Sequence, residues 1–315
     1  MNILISGASG NLGCHTSRHL LSTPHRLNLL THTRALPADI ASHANVTILQ
    51  GDLGRPETLT SLCAHIDCVV HLAGLLFAPR PEKFLPRTNV EYVVNLAKAA
   101  LKAGVKKFVL VSFPHAEGET TPEHPAVGTL DGHPKVIHFR TRLEAERKLI
   151  AATGGTSMRA VIFRAGIVYG RDIKLIKAAR WMLRHGLMAV WPEPTWLHLI
   201  ALPDFLAGLQ AAIENENTAG IYQVCDNAPL LLQDLLDRLA RHWHCRGPIS
   251  LPGWTFYAIG NLCEFSALLL HTPVPLNRDI VSAGMTSCVA DTTRMKRELL
   301  QKLSYPTIEE GMALL

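Results

Sequence analysis

Met1-Asn2-Ile3-Leu4-Ile5-Ser6-Gly7-Ala8-Ser9-Gly10-Asn11-Leu12-Gly13-Cys14-His15 is the stretch that decides how the rest of the chain is read. Asn2 to Ser6 is an apolar run of strand length. It breaks into a turn carrying Gly7, Gly10 and Gly13, and Leu12, Thr16, Leu20 and Leu21 then recur at helical spacing. Strand, glycine turn, helix is the context in which such glycines cradle a phosphate. Gly7 can take the positive φ of a sharp turn, and Gly10 removes a Cβ that would hold a pyrophosphate off the backbone. Gly13 lets the new helix pack closely on the strand. The leading N–H groups of that helix have no partner inside it and point along a dipole that favours an anion. The stretch therefore predicts a dinucleotide site.

Composition is consistent with this. The 315 residues are 48% hydrophobic and 18% charged, which predicts extensive burial or an apolar surface. A formal charge of +5, with no run of five basic residues, argues against nucleic acid and is small enough for a basic phosphate site to explain. Seven cysteines without a CxxC pair read as reduced thiols of a cytoplasmic protein. A strand at residue 2 predicts no signal peptide.

Strand and helix signals alternate through the first half. Leu27 to His32, Val46 to Gln50, Cys68 to Leu72, Lys107 to Ser112 and Arg159 to Arg164 read as further strands, nearly all apolar. Asn89 can cap a helix whose Val90, Val93, Val94, Ala97 and Leu101 keep the 3.6 period, with Gly104 as its stop. Residues 113–135 read as a long loop and Val136 to Ala152 as a helix. This alternation predicts an α/β fold, a doubly wound parallel sheet covered on both faces, with ligands at the carboxyl ends of its strands. The expected division is a dinucleotide-binding domain over 1–165, with returning segments near 198–225, and a smaller substrate or lid domain over 166–315.

At this point the chain resembles the extended short-chain dehydrogenase/reductase family of the NAD-dependent epimerase/dehydratase type, over essentially its whole length. Gly7-x-x-Gly10-x-x-Gly13 is similar to that family's glycine motif, and Gly51-Asp52-Leu53 to its adenine-contacting segment. His71-Leu72-Ala73-Gly74 resembles the segment beside the cofactor, and Asn89 the asparagine at a helix start. Arg164 to Gly170, Ile200 to Asp204 and Tyr222 to Cys225 resemble later landmarks in the family's order. The resemblance implies cofactor contacts from Gly7, Ser9, Gly10, Asn11, Leu12, Gly13, Asp52, Leu53, Leu72, Ala73, Gly74, Asn89 and Arg142.

Cofactor choice turns on the end of the second strand, Thr31-His32-Thr33-Arg34, where no acid appears until Asp39. A carboxylate there suits NAD, whereas Arg34 can clamp the extra phosphate of NADP. NADP is the expected cofactor, with NAD possible and Arg34 as a solvated loop residue the alternative.

The family's Tyr-x-x-x-Lys pair is replaced. Leu143-Glu144-Ala145-Glu146 fixes a register that puts His138 at the tyrosine and Arg142 at the lysine, four residues apart on one helix face. Phe113 falls on the family's serine, and a slip of one would give that role to Ser112. An imidazole at 138 can act as acid or base, though Arg142 beside it would lower its pKa. Two readings stay open: an oxidoreductase or epimerase working through His138, Arg142 and Ser112, or a catalytically silent NADP-bound sensor or partner-binding module.

His242-Trp243-His244-Cys245 and His115, His124 and His133 lack metal-ligand spacing, so no metal site is expected. Tyr92, on the helix after Asn89, reads as packing. Trp254 to Leu270 is strongly polar only at Asn261 and Glu264. It reads as an apolar helix available to the lid, to a homodimer contact or to a bilayer surface. The substrate is a small molecule of open class, and Arg246, Arg278 and Arg294 are the candidates for holding the phosphates of a sugar nucleotide.

Overall fold

The computed structural model describes residues 1–74, 81–270 and 277–315, without the side chains of 266–270. Six strands of the first half are β1 Asn2–Ser6, β2 Arg26–Thr31, β3 Val46–Gln50, β4 Cys68–His71, β5 Lys107–Ser112 and β6 Arg159–Ala165. With the late strand Gly220–Val224 they form one seven-stranded sheet, in the order Gly220–Val224, β6, β5, β4, β1, β2, β3. Every neighbouring pair is parallel. The boundaries expected from sequence hold to within a residue or two, because each run is apolar and bounded by polar or glycine residues.

Strand alternation divides the core. Ile3, Ile5, Leu29 and Phe163 face one layer with Phe205 and Leu209 of the helix Leu202–Glu214. Leu4, Phe108, Leu110 and Ile162 face the other, where helices Tyr92–Lys102 and Ile137–Thr153 contribute Val93, Leu96, Ala145 and Leu149. A sheet buried on both faces is why its strands read as continuous apolar runs.

Strand order reverses between β1 and β4, which are hydrogen-bonded in the register Ser6–His71. Sheets of this kind bind ligands in the crevice beyond such a reversal. The glycine turn follows β1 there, and Leu72-Ala73-Gly74 follows β4. After β6 come the helices Lys174–Arg184 and Leu232–His242 and several two- or three-residue strands, around a core that includes Tyr169, Leu183, Leu199 and Leu239.

One expectation needs correction. Asn89 does not begin a helix: Pro81–Leu85 is already helical, Pro86–Glu91 is a π-helical turn, and Tyr92–Lys102 continues it. Asn89 sits inside the π turn, fully buried, and its Nδ2 donates to Thr141 Oγ1 at 3.1 Å. Pairing with the neighbouring helix accompanies the local widening, and single π turns of this sort are frequent at functional sites.

Candidate functional site

The glycine turn is built by close approach. Gly7 has φ +76°, and a Cβ on it would lie 2.6 Å from Ala73 N. A Cβ on Gly13 would lie 2.1 Å from Gly7 O and 2.8 Å from Ala8 Cα, so only glycine lets the helix Asn11–Leu20 start against the turn. Gly10 N donates to Gly7 O at 2.9 Å. The helix that follows has Gly10 as its cap, no side-chain cap hydrogen bond and no acid in its first turn. Its leading donors are thus presented to an anion. The Asn11 side chain is engaged elsewhere: Nδ2 donates to Asp172 O and Oδ1 accepts from Lys174 N, which ties the turn to the Asp172–Lys174 segment. Asn11 can therefore serve a phosphate through its backbone alone.

At the end of β3, Asp52 accepts from Gly54 N at 2.8 Å and stays partly exposed, with Leu53 buried beside it. Thr33 and Arg34, past the end of β2, are exposed. Asp39, the first acid in sequence, pairs with Arg18 at 2.6 Å on the surface. Among the described residues no carboxylate pairs with Arg34.

His138 and Arg142 lie on the Ile137–Thr153 helix and are both buried. The His138 ring stacks on Phe113 with centroids 5.2 Å apart and planes 14° from parallel. Phe139 and His115 extend the aromatic cluster, 4.6 Å apart at 28°. Burial, then the Arg142 guanidinium and His115, push the His138 pKa down to about 3. Burial brings Arg142 down to about 10, which leaves it charged at neutral pH. Arg142 Cζ lies 5.8 Å from the Phe113 ring centroid.

Phe113, rather than Ser112, therefore stands beside position 138. The buried Ser112 hydroxyl is committed to Glu146 and gives the crevice no free donor. His71, which the sequence places in the segment beside the cofactor without a role of its own, is fully buried at the end of β4, with Nδ1 2.8 Å from Ser6 Oγ. Burial and Arg142 push its pKa down to about 3. Its signal was a histidine inside an otherwise apolar strand.

Among the described residues, several buried polar atoms have no partner: Nε and Nη1 of Arg142, Oδ1 of Asn89, Nε2 of His71 and Nδ1 of His138. Arg142 and Asn89 converge on Gly74, where a Cβ would lie 2.9 Å from Arg142 Nη2 and 3.7 Å from Asn89 Oδ1. Buried donors and acceptors are rarely left unsatisfied. Guanidinium donors beside an amide oxygen complement a sugar hydroxyl, which both donates and accepts. The residues present thus fit the nicotinamide end of a dinucleotide laid from the glycine turn past Gly74.

The candidate residues for a sugar nucleotide's phosphates do not assemble. Arg278 pairs with Glu264, and Arg294 with Glu298 and the Tyr222 ring. Tyr92 lies under the Arg87 guanidinium. Among the described residues no three His, Cys, Asp or Glu side chains gather as a metal set.

An uncapped helix start fed by a glycine cradle, at the reversal point of a parallel sheet, defines an α/β dinucleotide-binding protein. The chain belongs to the NAD-dependent epimerase/dehydratase family, whose model matches residues 3–193. That membership makes a nicotinamide dinucleotide the ligand class of the glycine turn. UDP-glucose 4-epimerase of Vibrio cholerae is 28% identical over 179 residues, 55% of this chain and 53% of that one. The match thus spans about half the length of that relative. UDP-glucose 4-epimerase of Thermotoga maritima, solved with UDP-glucose, superposes with a TM-score of 0.78 at 17% identity, over 100% of this chain and 97% of that one. dTDP-glucose 4,6-dehydratase of Streptomyces venezuelae, solved with NAD and TYD, gives 0.79 at 16%, over 100% and 95%. At these identities the two structures establish the shared fold.

Proposed function

We propose that this chain is an NADP-binding protein that holds its dinucleotide without the acid–base relay of the reductases it resembles. The observation that carries the reading is the His138 ring, stacked on Phe113 and neutral down to about pH 3. An imidazole that far below neutrality is almost never protonated at pH 7, so it is a poor general acid, and its low basicity makes it a weak base. Phe113 supplies no hydroxyl to polarise a carbonyl.

When bound, the dinucleotide would supply a hydride donor or acceptor. The residues of this chain orient it: Gly7, Gly10 and Gly13 admit the pyrophosphate, and Asn89 and Arg142 meet a ribose. The reading assigns the extra phosphate of NADP to Arg34, which is exposed past the end of β2 with no acid beside it in sequence before Asp39. The protein then acts as a cofactor-loaded sensor or partner-binding module.

Titration of NADPH followed by its fluorescence tests the binding. Saturable enhancement is expected, and its absence with both dinucleotides in a folded sample would refute the reading. Arg34→Ala should weaken NADP by about 1.5–3 kcal/mol, the scale of a hydrogen bond to a charged group, and leave NAD nearly unchanged. Equal losses for both would place Arg34 away from the extra phosphate.

Turnover separates a module from an enzyme. No NADPH oxidation above the buffer rate is expected across a panel of ketones and aldehydes, and no epimerised or dehydrated product from sugar nucleotides, which chromatography must check because an epimerase returns its hydride to the substrate. Steady oxidation that drops on the order of a hundredfold in His138→Ala, the usual scale for one acid–base group, would instead make His138 a catalytic residue.

A further inference from the structure

No helix among the described residues is long and apolar enough to cross a membrane. The helix Gly253–Leu270 nevertheless carries an apolar face left exposed among the described residues. Trp254 is 70% exposed, Leu262 67% and Phe265 61%, with Ala258 and Ile259 exposed between them. Trp254, Ala258, Leu262 and Phe265 recur at steps of four, four and three residues and share one side of the helix, with Ile259 at its edge and exposed Asn261 the polar residue on it. The opposite side is engaged: Phe256 packs edge-on against Trp191, Gly260 approaches the Asn277 backbone, and Glu264 pairs with Arg278. The outward stripe is therefore a surface of the folded protein.

Charge says what fits it. From Arg238 to Cys263 the chain has no carboxylate, and Arg241 and Arg246 are exposed ahead of the apolar stripe. Strand Ile249–Ser250 pairs with Ala189–Val190, which brings up the preceding helix Lys174–Arg184. That helix exposes Lys174, Arg180 and Arg184 together with Trp181, and Arg180 lies over the Trp243 ring at 5.6 Å. Leu187 and Ile249, in the segments that follow the first helix and precede the second, are also exposed. Exposed Glu193 lies beside Gly253, but the basic side chains outnumber it. Apolar and aromatic side chains with a net basic surround are the composition of a helix that lies in the headgroup region of an anionic bilayer. A second copy fits less well. A two-fold contact sets the same patch against itself, so the two basic borders would repel each other.

We propose that this face, centred on Trp254, Leu262 and Phe265, docks the protein peripherally on an anionic phospholipid surface. The test is co-sedimentation of the full chain with vesicles of phosphatidylcholine alone, and of phosphatidylcholine with about one third phosphatidylglycerol, at low and high salt. Binding is expected on the phosphatidylglycerol vesicles, weakened by salt. The double variant Leu262→Asp/Phe265→Asp should reduce it by more than about tenfold. Arg184→Glu/Arg246→Glu should do so through charge alone, which guards against a loss caused by misfolding. Unchanged near- and far-ultraviolet circular dichroism would show that both double variants are folded. No binding to either vesicle, or binding that both double variants retain, would overturn the proposal. So would a parent dimer, seen by sedimentation velocity, that Leu262→Asp/Phe265→Asp converts to monomer, since it would assign the face to a second copy.

Discussion

Acid should unfold this protein between about pH 6.5 and pH 4, with a steep dependence set by buried histidines rather than carboxylates. Three buried histidines, His71, His138 and His198, and the half-buried His115 are held neutral, chiefly by loss of water. Burial pushes His71 and His138 down to about 3, and His115 and His198 to about 4. In the unfolded chain each returns to its ordinary value of 6.5. Below that pH the unfolded state binds protons that the native state refuses, so stability falls as pH falls. It is fully present above 6.5 and continues to decline until the native values are reached. Asp226 works the other way. Burial raises it to about 7, so the native state holds its proton over a range where the unfolded state has released it. Asp279, also raised by burial, acts in the same sense. If Asp226 offsets one histidine of the four, three protons remain, or about 4 kcal/mol per pH unit at about 1.4 kcal/mol each. A whole domain has only about 5–15 kcal/mol to lose. Urea unfolding at pH 7.5, 6.5, 5.5 and 5.0 should show this slope, with uptake of roughly three protons measured by titration. A flat stability profile between pH 6.5 and 5 would mean that these histidines are hydrated in the native protein.

The sheet and the glycine turn were legible because both are local. Strand-length apolar runs bounded by glycines leave few other readings, and the spacing of Gly7, Gly10 and Gly13 carries its own steric reason. The parts that needed the structure depend on partners distant in sequence. Asn89 reads as a cap from its neighbours, yet Thr141 lies 52 residues on, and the helix opens into a π turn where the two pair. Phe113 and His138 belong to a strand end and a helix, and their stacking is set by how the two pack rather than by either pattern. Glu146 served in the sequence only as a register mark, in Leu143-Glu144-Ala145-Glu146. It is in fact fully buried. The clue was in β6, where Arg164 interrupts Val161-Ile162-Phe163, because a charge inside a central strand requires a buried partner.

Removing that partner should cause the largest loss of any single substitution. Arg164 and Glu146 are both fully buried, with Arg164 Nη2 2.6 Å and Nε 3.1 Å from Glu146 Oε2. Arg164 Nη1 reaches Glu117, and Nη2 also donates to Thr129 O at 2.9 Å. Glu117 in turn accepts from the backbone N–H groups of Val127, Gly128 and Thr129 and from Gln223 Nε2. The network thus fastens the loop before the His138 helix to β6 and to the strand Gly220–Val224. Glu146→Ala strands half of a buried guanidinium and the Ser112 hydroxyl, and should lower unfolding free energy by about 3–5 kcal/mol. Glu146→Gln keeps an acceptor for Arg164 and should lose less. Glu146→Leu with Arg164→Met removes both charges, while Glu117 keeps its backbone donors and Gln223. A buried pair replaced by apolar residues commonly loses little, so the double variant should be more stable than Glu146→Ala. Urea denaturation of the parent, these three variants and the single variants Glu146→Leu and Arg164→Met measures this directly. A double variant as unstable as the sum of its single variants would show that Arg164 and Glu146 contribute separately and are not held as a pair.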